Sequence, residues 1–172
     1  MTPRRFFPVR LALPLLALLL HYPAASRADS ALCATGKPES VLNCLSAAYN
    51  ARDIDAFDHL LAADFTFRME RQGKTDPGGS WTREQDLKGT ANLFADKGVQ
   101  SIRHTITGHK PPKATGSDTW EISGIVTDFR VIQAAHPDQP LDVHATDTTL
   151  RVRRVATPEP HFEIYEWVDR SK

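Results

Sequence analysis

Ala47-Ala48-Tyr49-Asn50-Ala51-Arg52-Asp53-Ile54-Asp55-Ala56-Phe57, followed at once by Leu60-Leu61-Ala62-Ala63-Asp64-Phe65-Thr66-Phe67, is the stretch on which the fold turns. Its apolar spacing changes twice in a few turns of chain. Upstream and into it, Val41, Leu42, Cys44, Leu45, Ala48 and Tyr49 recur at helical spacing. Pro38 suits the first turn of that helix. Asp53 then interrupts the pattern and is the residue type that caps a new helix, with Ile54, Phe57, Leu60 and Leu61 on its apolar side. From Phe65 to Met69 the period drops to two, which predicts a first strand.

Working outward, Gln72 to Ser80 holds Gly73, Pro77, Gly78 and Gly79 and reads as a loop. Thr82-Arg83-Glu84-Gln85 is a capping-box pattern that opens a third helix through Leu87, Ala91, Phe94 and Ala95, with Gly98 as the expected stop. The remainder predicts strands: Ser101 to His109, Thr119 to Gln133, Leu141 to Val155 and His161 to Val168. Turns are expected at Pro111 to Asp118, His136 to Pro140 and Thr157 to Pro160. Strands joined by short connections are antiparallel, and helices gathered at the start must cover one face of their sheet. The expectation is an α+β domain in which a long curled sheet leaves a cavity beneath the helices.

The chain before this domain has a different character. Arg4, Arg5 and Arg10 precede an apolar run from Leu11 to Leu20, and Ser26 and Ala28 occupy the small-residue positions of a cleavage site. That order predicts a secretory signal peptide over residues 1–28. The run is about half of the roughly 20 apolar residues a membrane span needs, so no membrane anchor is expected after cleavage. Arg4-Arg5-Phe6-Phe7 also hints at a twin-arginine signal. The expected product is periplasmic or secreted, with an irregular lead-in over residues 29–37 and one domain over residues 38–172. Cleavage lowers the basic count from 21 to 17 against 21 acidic residues, a net charge of −4. With no basic patch beyond Arg151-Val152-Arg153-Arg154, nucleic acid is not an expected partner. Cys33 and Cys44 are the only cysteines. Export favours a disulfide between them, worth about 3 kcal/mol for a loop of about a dozen residues. Two separate thiols remain the alternative.

The same four passages, Ala47 to Phe57, Leu60 to Phe67, Thr82 to Leu87, and Arg103-His104-Thr105-Ile106 followed by Trp120 to Val131, resemble the nuclear transport factor 2-like superfamily, most closely its SnoaL-like branch. The likeness runs over about residues 38 to 170. It implies a cone-shaped antiparallel sheet packed on N-terminal helices, an apolar pocket, and often a homodimer through the sheet's outer face. Isomerases, dehydratases, cyclases, carriers and assembly domains share this fold, so function has to come from the site.

For catalysis, His104 alternates with Ile102 and Ile106 on an apolar strand face, and dehydratase-like relatives use a histidine on a comparable strand. Tyr49 closes the first helix on its apolar side, and Asp64 sits where some isomerase-like relatives carry a general base. For pocket lining, Asp128 shares a phase with Trp120, Ile122 and Val126, and Asp147 shares one with Val143 and Ala145. His144 competes with Asp147, since only one phase can face inward, and Trp120 and Trp167 are platform candidates. Each also has a plain structural reading, as a core or solvated residue. No His-x-x-x-His or Cys-x-x-Cys pair and no cofactor motif is present, so neither metal nor cofactor is expected. The leading expectation is an exported domain that encloses a small, largely apolar molecule. The alternatives are a cofactor-independent lyase or isomerase using His104, and a protein-assembly domain.

Overall fold

The computed structural model describes residues 36–70, 79–156 and 160–170. The expected signal peptide and its cleavage at Ala28, Cys33, and most of the expected loop at 72–80 lie outside the described residues. Among the described residues three helices come early: α1 (Ser40–Ala51), α2 (Ile54–Leu60) and α3 (Arg83–Ala95). Seven strands accompany them: β1 (Leu61–Met69), β2 (Ser80–Thr82), β3 (Val99–Gly108), β4 (Lys113–Ala114), β5 (Thr119–Gln133), β6 (His136–Val155) and β7 (His161–Asp169).

Local chemistry explains the helix ends. Arg52 takes the left-handed conformation (φ 54°), and its N–H closes α1 on the carbonyls of Ala48 and Tyr49. Asp53 caps α2 by accepting the Ala56 N–H at 2.9 Å. The Thr82 hydroxyl accepts the Gln85 N–H, and the Gln85 carboxamide oxygen accepts the Thr82 N–H at 3.0 Å, completing the capping box of α3. Arg83 joins α3 to α2 through the Asp58 carboxylate at 2.6 Å.

The sheet runs β2-β1-β7-β6-β5-β3, with β4 paired to β5. It is antiparallel except where β1 lies parallel to β7, so it is mixed rather than wholly antiparallel. The helices cover its concave face around Phe57, Phe65, Leu45 and Ile122, all fully buried. The β5–β6 turn falls at Ala134–Ala135, since Gln133 pairs with His136. The expected turn at His136 to Pro140 is therefore strand. Pairing of β6 with β7 begins only at Thr148. Among the described residues the earlier half of β6 has no strand partner on that side, and such an edge tolerates Pro137 and Pro140.

Two irregularities decide which side chains face inward. From Ile122 to Ile125, β5 spends three residues against two on β6, from Leu150 to Thr148. Gly124 supplies the bend with φ +61°. From Ile125 to Thr127 the surplus is on β6, which spends Thr148 to Ala145. Each bulge flips the phase of its strand. Ile122, Ile125, Thr127 and Val131 are buried on β5, and Ala145, Thr148, Leu150 and Val152 on β6.

Candidate functional site

Tyr49 sits at the centre of the interior. Its ring stacks on the His104 imidazole at 5.1 Å and meets Phe57, Phe94 and Phe129 edge-on. Its hydroxyl shares a hydrogen bond with the Thr90 side chain. Burial, and then the neighbouring charge of Asp86, push the phenol's pKa upward. Tyr49 therefore stays protonated and acts as a donor or a wall, not as a base.

His104 is 3% exposed and is fastened by α1 at three points. Its Nδ1 is 2.9 Å from the Ser46 hydroxyl. The Asn50 carboxamide brackets its backbone, accepting the N–H at 2.6 Å and donating to the carbonyl at 3.0 Å. Ser46, Tyr49 and Asn50 are one helical turn apart, which is why one face of α1 can hold one residue of β3. Burial lowers the imidazole pKa to about 4, so the ring is neutral across the physiological range.

A cavity of about 160 Å³ opens beside this pair. Tyr49, His104, Phe129 and Trp167 give it aromatic walls, and Thr127, Thr148 and Asp169 give it polar groups. Val143 lines it and is 47% exposed, as Leu141 two residues earlier on β6 is 60% exposed. A second cavity of about 300 Å³ lies between α3 and β1–β2, with Asp86 and Thr90 on its helix side. Burial raises the Asp86 carboxyl to about 6. Tyr49 stands between the two spaces, ring toward the first and hydroxyl toward Thr90.

Of the residues singled out from sequence, the structure brings together His104, Tyr49 and Trp167. The others lie elsewhere. Asp64 falls in the irregular part of β1, where register with β7 jumps between Leu61 and Thr66. It is exposed, paired with Arg153 at 2.8 Å, and lines neither of these two cavities. Asp128 is turned outward by the Gly124 bulge and pairs with His144 at 2.6 Å on the solvent face. Asp147 sits at the β6 bulge and is exposed too, so neither competing phase puts an acid or a histidine inside. Trp120 packs edge-on against Phe162 at 5.4 Å and belongs to the core.

Sequence reasoning missed Asp86 and Thr90. A signal was present: Asp86, Gly89, Thr90 and Leu93 follow helical spacing and share one face of α3. Among the described residues, no group of three or more His, Cys, Asp or Glu side chains is placed to hold a metal, and no helix is long and apolar enough to cross a membrane.

No family model and no curated protein matches the sequence. Solved structures do match. A nuclear transport factor 2-like protein of unknown function in nutrient uptake from Rhodospirillum rubrum superposes with a TM-score of 0.61 at 14% identity, over 80% of this chain and 99% of that one. The chain has the nuclear transport factor 2-like fold. A superfamily protein from Salmonella enterica serovar Typhimurium gives 0.56 at 10% identity, over 76% and 84% of the two chains. A type 2 hexachlorocyclohexane dehydrochlorinase, LinA, gives 0.57 at 10% identity, over 77% and 80%. At these identities the likeness carries the nuclear transport factor 2-like architecture and no activity.

Proposed function

We propose that this protein is an exported binding domain that encloses a small, largely apolar molecule in the cavity beside Tyr49 and His104. One observation carries the reading. The only histidine among the described residues of the cavity wall is bonded through Nδ1 to a hydroxyl, that of Ser46, and is held neutral by burial. The aspartates that sequence offered as its partners are on the other side of the sheet. A neutral imidazole tied to a hydroxyl is a fixed polar contact in a wall of aromatic rings that also carries Thr127, Thr148 and Asp169, which suits recognition more than proton transfer. The signal peptide, the oxidising destination and the Cys33–Cys44 disulfide belong to this proposal, as does a homodimer.

Native mass spectrometry of the mature protein purified from the periplasm tests these points together. The expected spectrum shows cleavage after Ala28, a loss of two hydrogens for the disulfide, and added mass from a retained small molecule. An empty protein that takes up no apolar probe in the first cavity would overturn the binding reading.

A cofactor-independent lyase or isomerase is the second reading, favoured because a neutral imidazole in a cavity wall keeps a lone pair available as a base. The dehydrochlorinase named above shows that this architecture can house an enzyme. Incubating a recovered ligand in deuterated water separates the readings. Exchange of a ligand C–H that disappears in His104→Ala supports the enzyme, and no exchange supports the carrier.

A further inference from the structure

The second cavity differs from the first in its polar groups. Its walls are Phe67, Met69, Trp81 and Leu93, and three polar side chains reach it. Gln85 is committed, because its carboxamide oxygen accepts the Thr82 N–H in the capping box. Thr90 is committed to the Tyr49 hydroxyl. Asp86 alone makes no hydrogen bond or ion pair with any described residue. Among the described residues that line the cavity there is no lysine, arginine or histidine.

That inventory discriminates between ligand classes. Among the described lining residues an anion would meet a carboxylate and no counter-charge. A neutral apolar molecule would displace the water that Asp86 still has and leave the carboxylate bare, which is costly. An organic cation would satisfy Asp86 and also lie against aromatic rings, whose faces attract positive charge. Phe67 and Trp81 offer such a surface, with ring centroids 5.0 Å apart and planes tilted by 52°. The helix wall leaves room as well, since a Cβ placed on Gly89 meets nothing within 4 Å.

We propose that the cavity between α3 and β1–β2 is a binding site for a small organic cation, an alkylammonium group held by the Asp86 carboxylate with its alkyl substituents resting on Trp81, Phe67 and Met69. This site is separate from the cavity beside His104 and stands whether or not that cavity carries a ligand.

Calorimetric titration of the mature protein near neutral pH tests it with two probes of one shape. One is choline, and the other is the alcohol in which choline's nitrogen is replaced by carbon. Choline should bind at least about tenfold more tightly than the uncharged isostere, the scale of one desolvated cation–aromatic contact. Asp86→Asn should weaken choline by at least about tenfold and leave the isostere unchanged. Gly89→Leu, which fills the cavity from the helix side, should abolish choline binding. Ala145→Leu, which narrows the first cavity instead, should not. Equal affinity for the two probes, absence of choline binding, or choline binding that survives Gly89→Leu and is lost in Ala145→Leu would overturn the proposal. Should Asp86→Asn fail to fold, as read by circular dichroism, the contrast between Gly89→Leu and Ala145→Leu still decides.

Discussion

His104, buried, and Asp86, half-buried, are two titratable groups that flank Tyr49, and the fold treats them in opposite ways. His104 has partners for its ring and both backbone groups, all from α1. Asp86 has none among the described residues. Both are pushed toward neutrality by the same cause, loss of water. For the histidine that outcome is compatible with its hydrogen bonds, because a neutral imidazole both donates and accepts. For the aspartate it leaves an unmet preference for a counter-charge. One side of Tyr49 is finished by the protein itself, and the other is left for something else to finish.

The largest test removes the partition. Tyr49→Ala should cost about 3–5 kcal/mol, the range for truncating a buried aromatic, read by chemical denaturation. It should also join the two cavities and admit water to His104. The imidazole, followed by NMR, should then titrate well above its value of about 4 and toward the ordinary 6.5. A His104 that stays near 4 in this variant would mean that Ser46 and the sheet, not Tyr49, keep it dry.

A second test exploits the opposite signs of the two groups. Between about 4 and 6.5 the unfolded chain holds a proton on His104 that the native chain does not, so acidification costs stability there. Between 3.8 and about 6 the native chain holds a proton on Asp86 that the unfolded chain does not, so acidification adds stability there. The two slopes oppose each other over nearly the same window. Asp86→Asn should steepen the acid loss of stability relative to the parent. His104→Gln should make stability rise as pH falls from about 6 to about 4. Denaturant midpoints across that range provide the measurement, and parallel profiles for the two variants would break the contrast.

How far the interior could be read from sequence follows from how local each signal is. The order of helices and strands was legible because capping and periodicity act within a few residues, as at Asp53, Thr82 and Gln85. The inward phase of the long strands was not, because a single bulge at Gly124 reverses every position after it. Asp128 shares a phase with Trp120, Ile122 and Val126 in sequence, and the bulge puts it in solvent. The β5–β6 turn was hidden because Ala134–Ala135 carries no turn residue while Pro137 and Pro140 next to it imitate one. Asp86 was passed over because Glu84 and Lys88 surround it and make its helix turn look solvated. His104 was found, but its true partners, Ser46 and Asn50, lie 58 and 54 residues away in sequence, beyond any local pattern.

The smallest effect sharpens the same contrast through glycine. Gly89 lies inside α3, where glycine costs about 0.5–1 kcal/mol relative to alanine. A Cβ there meets nothing within 4 Å, so nothing offsets the gain in backbone order. Gly89→Ala should therefore stabilise the fold by up to about 1 kcal/mol, a rise in melting temperature of about 2–4 °C for a domain of this size. Gly124 is the counterexample. Its φ is +61°, and a Cβ would come within 3.3 Å of the Lys110 side chain, so Gly124→Ala should destabilise. Calorimetric melting of both variants separates a glycine kept for its backbone from one kept for space. If Gly89→Ala lowered the melting temperature, the α3 side of the second cavity would be filled in solution, and the unfinished side of Tyr49 would be finished after all. If it raised it while choline bound less tightly, stability would have been gained by encroaching on a site, which is the pattern expected where a fold keeps a cavity open at its own expense.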